Sequence, residues 1–137
     1  MSKSEQRYTA ERWLATARED WESARILADA DRHAHACFLF QQAAEKAIKA
    51  LWYAADDDPW GHSVQRLLQE CPAEIASAKR TKSIEAAAAL DKYYIPTRYP
   101  NGLPDLTPHT VYRPTDSADA AAKAGFILDM ASEMLLS

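Results

Sequence analysis

Phe40-Gln41-Gln42-Ala43-Ala44-Glu45-Lys46-Ala47-Ile48-Lys49-Ala50-Leu51 is the stretch that decides the fold. Extended to about Ala34–Ala55, it carries two apolar stripes at helical spacing. One is Ala34, Phe38, Gln41, Ala44, Ile48, Leu51 and Trp52; the other is Ala36, Phe40, Ala43, Ala47, Ala50 and Ala54. A helix with two apolar faces is covered on two sides, and a face built of alanine lets a neighbouring axis approach closely. The remaining face holds Gln42, Lys46 and Lys49. This segment therefore reads as the central helix of an all-α protein.

Working towards the N-terminus, Trp13, Ala17, Trp21, Ala24 and Leu27 share one face of a first helix ending near Asp29. Thr9 reads as its N-cap with Glu11 in the first turn, which leaves residues 1–8 as a tail. His33 and its neighbours form a turn, with His33 and His35 exposed. Towards the C-terminus, Asp56-Asp57-Asp58-Pro59 ends the central helix. A short third helix spans about His62–Glu70, with Val64, Leu67 and Leu68 facing inward. A fourth starts at Ala73 or Thr81 and runs to Tyr94. A fifth, capped by Asp116 or Ser117, runs to about Leu135; Gly125 on its inner face reads as a site of close helix contact. No stretch alternates over six residues, so no strand is predicted.

Between the last two helices lies a long loop, Ile95 to Asp116, holding five of the seven prolines. Loops of this length are uncommon in compact domains and are usually functional or disordered. Tyr93, Tyr94, Tyr99 and Tyr112 argue for order, because disordered segments are poor in aromatics. The whole chain, 1–137, reads as one domain: an antiparallel bundle of four to five helices with a proline-rich loop before the last.

Composition agrees. The 137 residues suffice for one self-supporting core, and alanine richness with only three glycines favours helix. No apolar run approaches the roughly 20 residues that span a bilayer, and Met1 to Arg7 does not read as a signal peptide. Two cysteines, Cys37 and Cys71, have no metal or disulfide spacing and read as buried apolar groups; a cytoplasmic location is the simplest expectation. The net charge of −4 does not attract nucleic acid to the molecule as a whole. Lys79, Arg80, Lys82, Lys92 and Arg98, however, outnumber Glu85 and Asp91 locally. That stretch is either a set of solvated helix faces or an anion-binding surface.

Several polar residues fall on or beside apolar faces. Asp20 follows Trp13 by seven residues, Gln41 lies on a core stripe, and Glu45 lies at its edge. A carboxylate beside a core needs a partner, since burying an unpaired charge costs several kcal/mol; Lys49, His62 and Arg98 are candidates. These groups form either a buried network that fixes helix register or a ligand site. In the loop, Pro96 and Pro100 restrict the chain on both sides of Arg98, holding a guanidinium among Tyr94, Tyr99, Asn101 and Gly102. Guanidinium forks suit phosphate and aromatic faces suit bases. The alternative role of Arg98 is to pair with Asp20 or Glu45 and pin the loop to the bundle. No pair among the four histidines has metal-ligand spacing, no phosphate loop or nucleophile elbow is present, and neither metal nor cofactor is expected.

Trp13 followed by Ala17-Arg18-Glu19-Asp20, the central helix quoted above, His62 ahead of Leu67-Leu68, and Thr97-Arg98-Tyr99-Pro100 together resemble the HEPN family (higher eukaryotes and prokaryotes nucleotide-binding domain), in an Arg-Tyr-Pro loop form, over nearly the whole chain. The resemblance implies a bundle of four to five helices forming a homodimer. It also implies a small nucleotidyltransferase partner, often in a toxin–antitoxin module, and nucleotide or RNA as ligand. Many HEPN proteins are metal-independent ribonucleases that use an Arg, four to six residues, then a His. In this chain ten residues separate Arg98 from His109, and seven separate Arg25 from His33 at the other end of the bundle. Three functions follow as expectations. The first is a nucleotide- or RNA-binding domain with Arg98 on phosphate, Tyr94, Tyr99, Asn101 and Lys49 at the ligand, and Asp20, Glu45 and His62 in support. The second is a ribonuclease toxin using Arg98 and His109. The third is a non-catalytic partner or scaffold subunit.

Overall fold

The computed structural model describes residues 1–136. Six helices follow in order: α1 Lys3–Asp29, α2 His33–Ala54, α3 Val64–Gln69, α4 Ser77–Asp91, the one-turn α5 Pro108–Val111, and α6 Pro114–Leu136. A 3-10 turn spans Pro100–Gly102. No strand occurs among the described residues. Helix α2 touches all five other helices, as expected for the central element. Ala36, Phe40, Ala43, Ala44, Ala47, Ile48 and Ala50 along it are fully buried.

The first helix starts earlier than its Thr9 cap predicts, so residues 3–8 are helix, not tail. Ser2 Oγ accepts the backbone N–H of Glu5 at 3.2 Å, an N-cap in a Ser-x-x-Glu setting. Helices α1 and α2 each close through an aspartate in the left-handed region, Asp31 (φ 62°) and Asp56 (φ 56°). Beyond each, an N–H reaches back to a carbonyl five residues earlier: Arg32 to Leu27 at 2.8 Å and Asp57 to Trp52 at 3.0 Å. Asp56 therefore ends α2 by its backbone conformation, ahead of any effect of Pro59. Helix α6 begins at Pro114, where a missing N–H costs nothing, and Asp116 Oδ2 accepts the Arg113 N–H at 2.8 Å.

Tryptophans tie the layers together. Trp21 Nε1 donates to the Ala121 carbonyl at 3.0 Å, joining α1 to α6, and Trp52 Nε1 donates to the Leu67 carbonyl at 3.1 Å, joining α2 to α3. Trp21 also meets the Phe40 ring edge-on at 5.7 Å. His33 is buried, contrary to its expected exposure. Its Nδ1 lies 2.8 Å from Ser117 Oγ, and its Nε2 lies 3.4 Å from Asp31. It thus links the α1–α2 turn to the start of α6.

Gly125 does not serve the close contact expected of it. A Cβ there would meet only Trp21 Nε1, at 3.7 Å, an ordinary van der Waals distance. Gly125→Ala is therefore expected to stabilise the protein by about 0.5–1 kcal/mol, because glycine inside a helix loses more backbone entropy. A rise in thermal midpoint would register it.

Burial, reinforced by Asp116 and Asp119, pushes the Cys37 thiol up to about 12. Burial, then Cys37, Asp116, Asp119 and Tyr112, pushes the Tyr93 hydroxyl up to about 12. Both groups favour their neutral form in the fold. Their contribution is fully present below the ordinary values of 9.0 and 10.0 and is lost as pH rises towards 12. Urea midpoints should fall progressively from pH 9 upward, and Cys37 should resist thiol reagents at pH 8 until the protein unfolds.

Candidate functional site

The loop after α4 is built, not slack. The buried Thr97 side chain donates to the Tyr93 carbonyl at 2.5 Å, and the Arg98 N–H donates to the Ile95 carbonyl at 3.0 Å. Arg98 Nε donates to the Tyr94 carbonyl at 2.8 Å. These bonds fold residues 93–98 into a tight hook that sets the guanidinium among three rings. Its central carbon lies 4.3 Å from the Phe38 centroid, 4.5 Å from Tyr94 and 5.3 Å from Tyr99. Ring faces attract and orient a cation without neutralising it.

Arg98 does not pair with Asp20 or Glu45. Asp20 accepts from Lys46 at 2.5 Å, and Glu45 accepts from Lys49 at 3.1 Å. The loop is pinned by rings and carbonyls, and the guanidinium keeps its terminal amino groups for another acceptor.

Beside this hook lies a polar network centred on α2. The buried Glu45 carboxylate lies 3.4 Å from His62 Nδ1 and receives Gln42 Nε2 at 3.3 Å. Gln42 also donates to Gln41 Oε1 at 2.8 Å. Gln41 Nε2 donates to the His62 carbonyl at 2.8 Å and to Asp91 Oδ1 at 3.3 Å. Asp91, the last residue of α4, holds the start of α3. Its oxygens also accept Ser63 Oγ and the backbone N–H groups of Val64 and Gln65, at 2.8, 2.8 and 3.1 Å. The His62 ring, largely exposed, stacks on Tyr94 with centroids 4.9 Å apart and an interplanar angle of 17°. Tyr94 therefore bridges His62 and Arg98.

Of the residues singled out from sequence, Arg98, Tyr94, Tyr99, Glu45, Lys49 and His62 come together. Lys49 is buried against Glu45, so it faces the network and not open solvent. Asp20 pairs with Lys46 on α1 and α2 and is outside the network. Asn101 is exposed in the 3-10 turn, and His109 is exposed on α5. The histidine brought to Arg98, through Tyr94, is His62. In the basic stretch, Lys79 pairs with Glu133 at 2.6 Å and Lys82 sits 4.5 Å over the Phe126 ring, so both are engaged by α6. Phe38 and Asp91 escaped sequence reasoning. Phe38 lies on a core stripe whose spacing gives direction but not depth.

Among the described residues no cluster of His, Cys, Asp or Glu could hold a metal ion, and no helix is long and apolar enough to cross a membrane. The family model for the HEPN domain matches residues 10–134. The chain belongs to the HEPN domain family. It is similar in structure to TT1696 from Thermus thermophilus, with 37% identity and a TM-score of 0.84 over 90% of this chain and 96% of that one. ST0689, an archaeal HEPN homologue, is 32% identical, with a TM-score of 0.77 over 92% and 97% of the two chains. A HEPN domain protein of Thermotoga maritima is 27% identical, with a TM-score of 0.69 over 91% and 98%. No protein of curated function matches the chain. As a HEPN domain, the chain has the helical bundle its central helix implied, closed over nearly its full length.

Proposed function

We propose that this HEPN domain binds the phosphate of a nucleotide or RNA through Arg98, with the exposed Tyr99 ring stacking against the base or sugar and Tyr94, held between His62 and Arg98, shaping the pocket. One observation carries the reading: the guanidinium is held on three rings and a carbonyl while Asp20 and Glu45, its expected partners, are engaged elsewhere. A pre-positioned cation with free terminal donors is suited to a phosphate oxygen pair. Glu45, Lys49, Gln41 and Gln42 support the site by holding His62 against Tyr94, and Asn101, exposed in the turn that follows Tyr99, is a further ligand contact. Titration of mono- and dinucleotides against wild type and Arg98→Ala tests it; wild type that binds none at millimolar concentration would remove it. A homodimer, which family membership supports, and a small nucleotidyltransferase partner in a toxin–antitoxin setting are parts of the same proposal. Solution mass and co-purification with a neighbouring gene product test these two.

A second reading, phosphodiester cleavage, is favoured by the position of His62. An imidazole backed by a buried carboxylate and placed beside a phosphate-binding arginine has the parts for proton transfer. On this reading His62 replaces His109 as the partner of Arg98. His62→Ala should then lower the rate of RNA cleavage by roughly 10²–10⁴-fold, whereas His109→Ala should leave it within about twofold. A fluorogenic RNA assay separates the two, and RNA left intact by the wild type excludes cleavage without touching the binding reading.

A further inference from the structure

A second aromatic–cation pair lies next to the first. Between α2 and α3, Gly61 adopts φ +93°, a backbone conformation that suits glycine, and turns the chain between Trp60 and His62. The Trp60 side chain stays out in solvent, 76% exposed, although an indole is among the largest apolar surfaces a residue can bury. Arg66, in the first turn of α3, lies 5.6 Å over that ring and is braced by Glu70 at 3.3 Å. Trp60, His62 and Arg66 share the wall of a small cavity of about 130 Å³.

His62 belongs to both groups, because its ring also stacks on Tyr94. The surface therefore runs Trp60 with Arg66, then His62, then Tyr94 with Arg98, then Tyr99. Rings and cations linked in this way suit a single strand, with the exposed Trp60 and Tyr99 rings for its bases and the cations for its phosphates. Asp56, Asp57, Asp58 and Glu70 lie close by in sequence and oppose a polyanion, so the second position works by stacking more than by charge.

We propose that Trp60 and Arg66 form a second base-binding position, making the ligand a single-stranded oligonucleotide and not a mononucleotide. The proposal rests on the reading of Arg98 as the phosphate contact. The test titrates uridine monophosphate and a tetrauridylate against wild type, Trp60→Ala, Trp60→Phe and Arg98→Ala. Wild type should bind tetrauridylate roughly tenfold or more tighter than the monophosphate. Trp60→Ala should erase that preference while monophosphate binding stays as in wild type, Trp60→Phe should keep most of it, and Arg98→Ala should weaken both ligands. Equal affinity for the two ligands in wild type, or an undiminished preference in Trp60→Ala, overturns the second position and leaves the Arg98 reading standing. Wild type that binds neither ligand overturns the Arg98 reading and this one with it. A changed solution mass in Trp60→Ala, with the preference intact, makes Trp60 a protein contact and also overturns the proposal.

Discussion

Asp91→Ala is expected to destabilise the protein by about 3–5 kcal/mol, with a thermal midpoint lower by roughly 10–15 °C. The carboxylate accepts from four donors: Gln41 Nε2, Ser63 Oγ and the N–H groups of Val64 and Gln65. All four are partly buried, and alanine would leave them without an acceptor there. Two of them are orphan donors of the first turn of α3, a helix of only six residues. Helices so short gain little from their own hydrogen bonds, so α3 depends on this external cap. Asp91→Asn keeps the shape and one acceptor oxygen but turns an amide towards donors, and should fall between alanine and wild type. Denaturant midpoints for the three proteins check the order.

Arg98→Ala has the largest expected effect on binding: loss of nucleotide affinity by about 10- to 100-fold, as for a charged hydrogen-bond pair worth roughly 1.5–3 kcal/mol. Arg98→Lys should lose most of the same affinity. Lysine keeps the charge, but it has no planar face to lie on Phe38, Tyr94 and Tyr99 and no Nε to bond the Tyr94 carbonyl while other donors face outward. Calorimetric titration of both variants distinguishes a need for charge alone from a need for the held fork. Equal binding by Arg98→Lys and wild type would show that the ring cradle does not matter to the ligand.

The bundle was legible because alanine-rich faces repeat at the helical period, and α2 shows two of them. The hook around Arg98 was legible as a restricted segment because proline brackets it. Its contacts were not. Phe38 follows the same spacing as the core residues Gln41 and Ile48, so periodicity could not show that its ring faces the loop. Asp91 meets donors 26 to 50 residues away, and His33 meets Ser117 84 residues away; no local pattern encodes either. Thr9 with Glu11 reads as a helix start, and only the structure shows that Ser2 caps the helix at Glu5 instead. That His62, and not His109, is linked to Arg98 through Tyr94 depends on the stacking of the two rings, a tertiary fact.

The grip of Asp91 on α3 also shapes how the molecule breathes. Val64, Leu67 and Leu68 bury this short helix, but its first turn is latched to another helix through a single carboxylate. Release of that latch frees Ser63 and the first turn of α3, leaving the Gln41 bond to the His62 carbonyl and the Trp52 bond to the Leu67 carbonyl as the remaining ties to α2. Segment 55–70 is therefore expected to open locally with a smaller free energy than the bundle. Its amides should exchange with solvent ahead of those in α2, and a ligand resting on His62 and Tyr94 would slow that exchange by holding the latch shut.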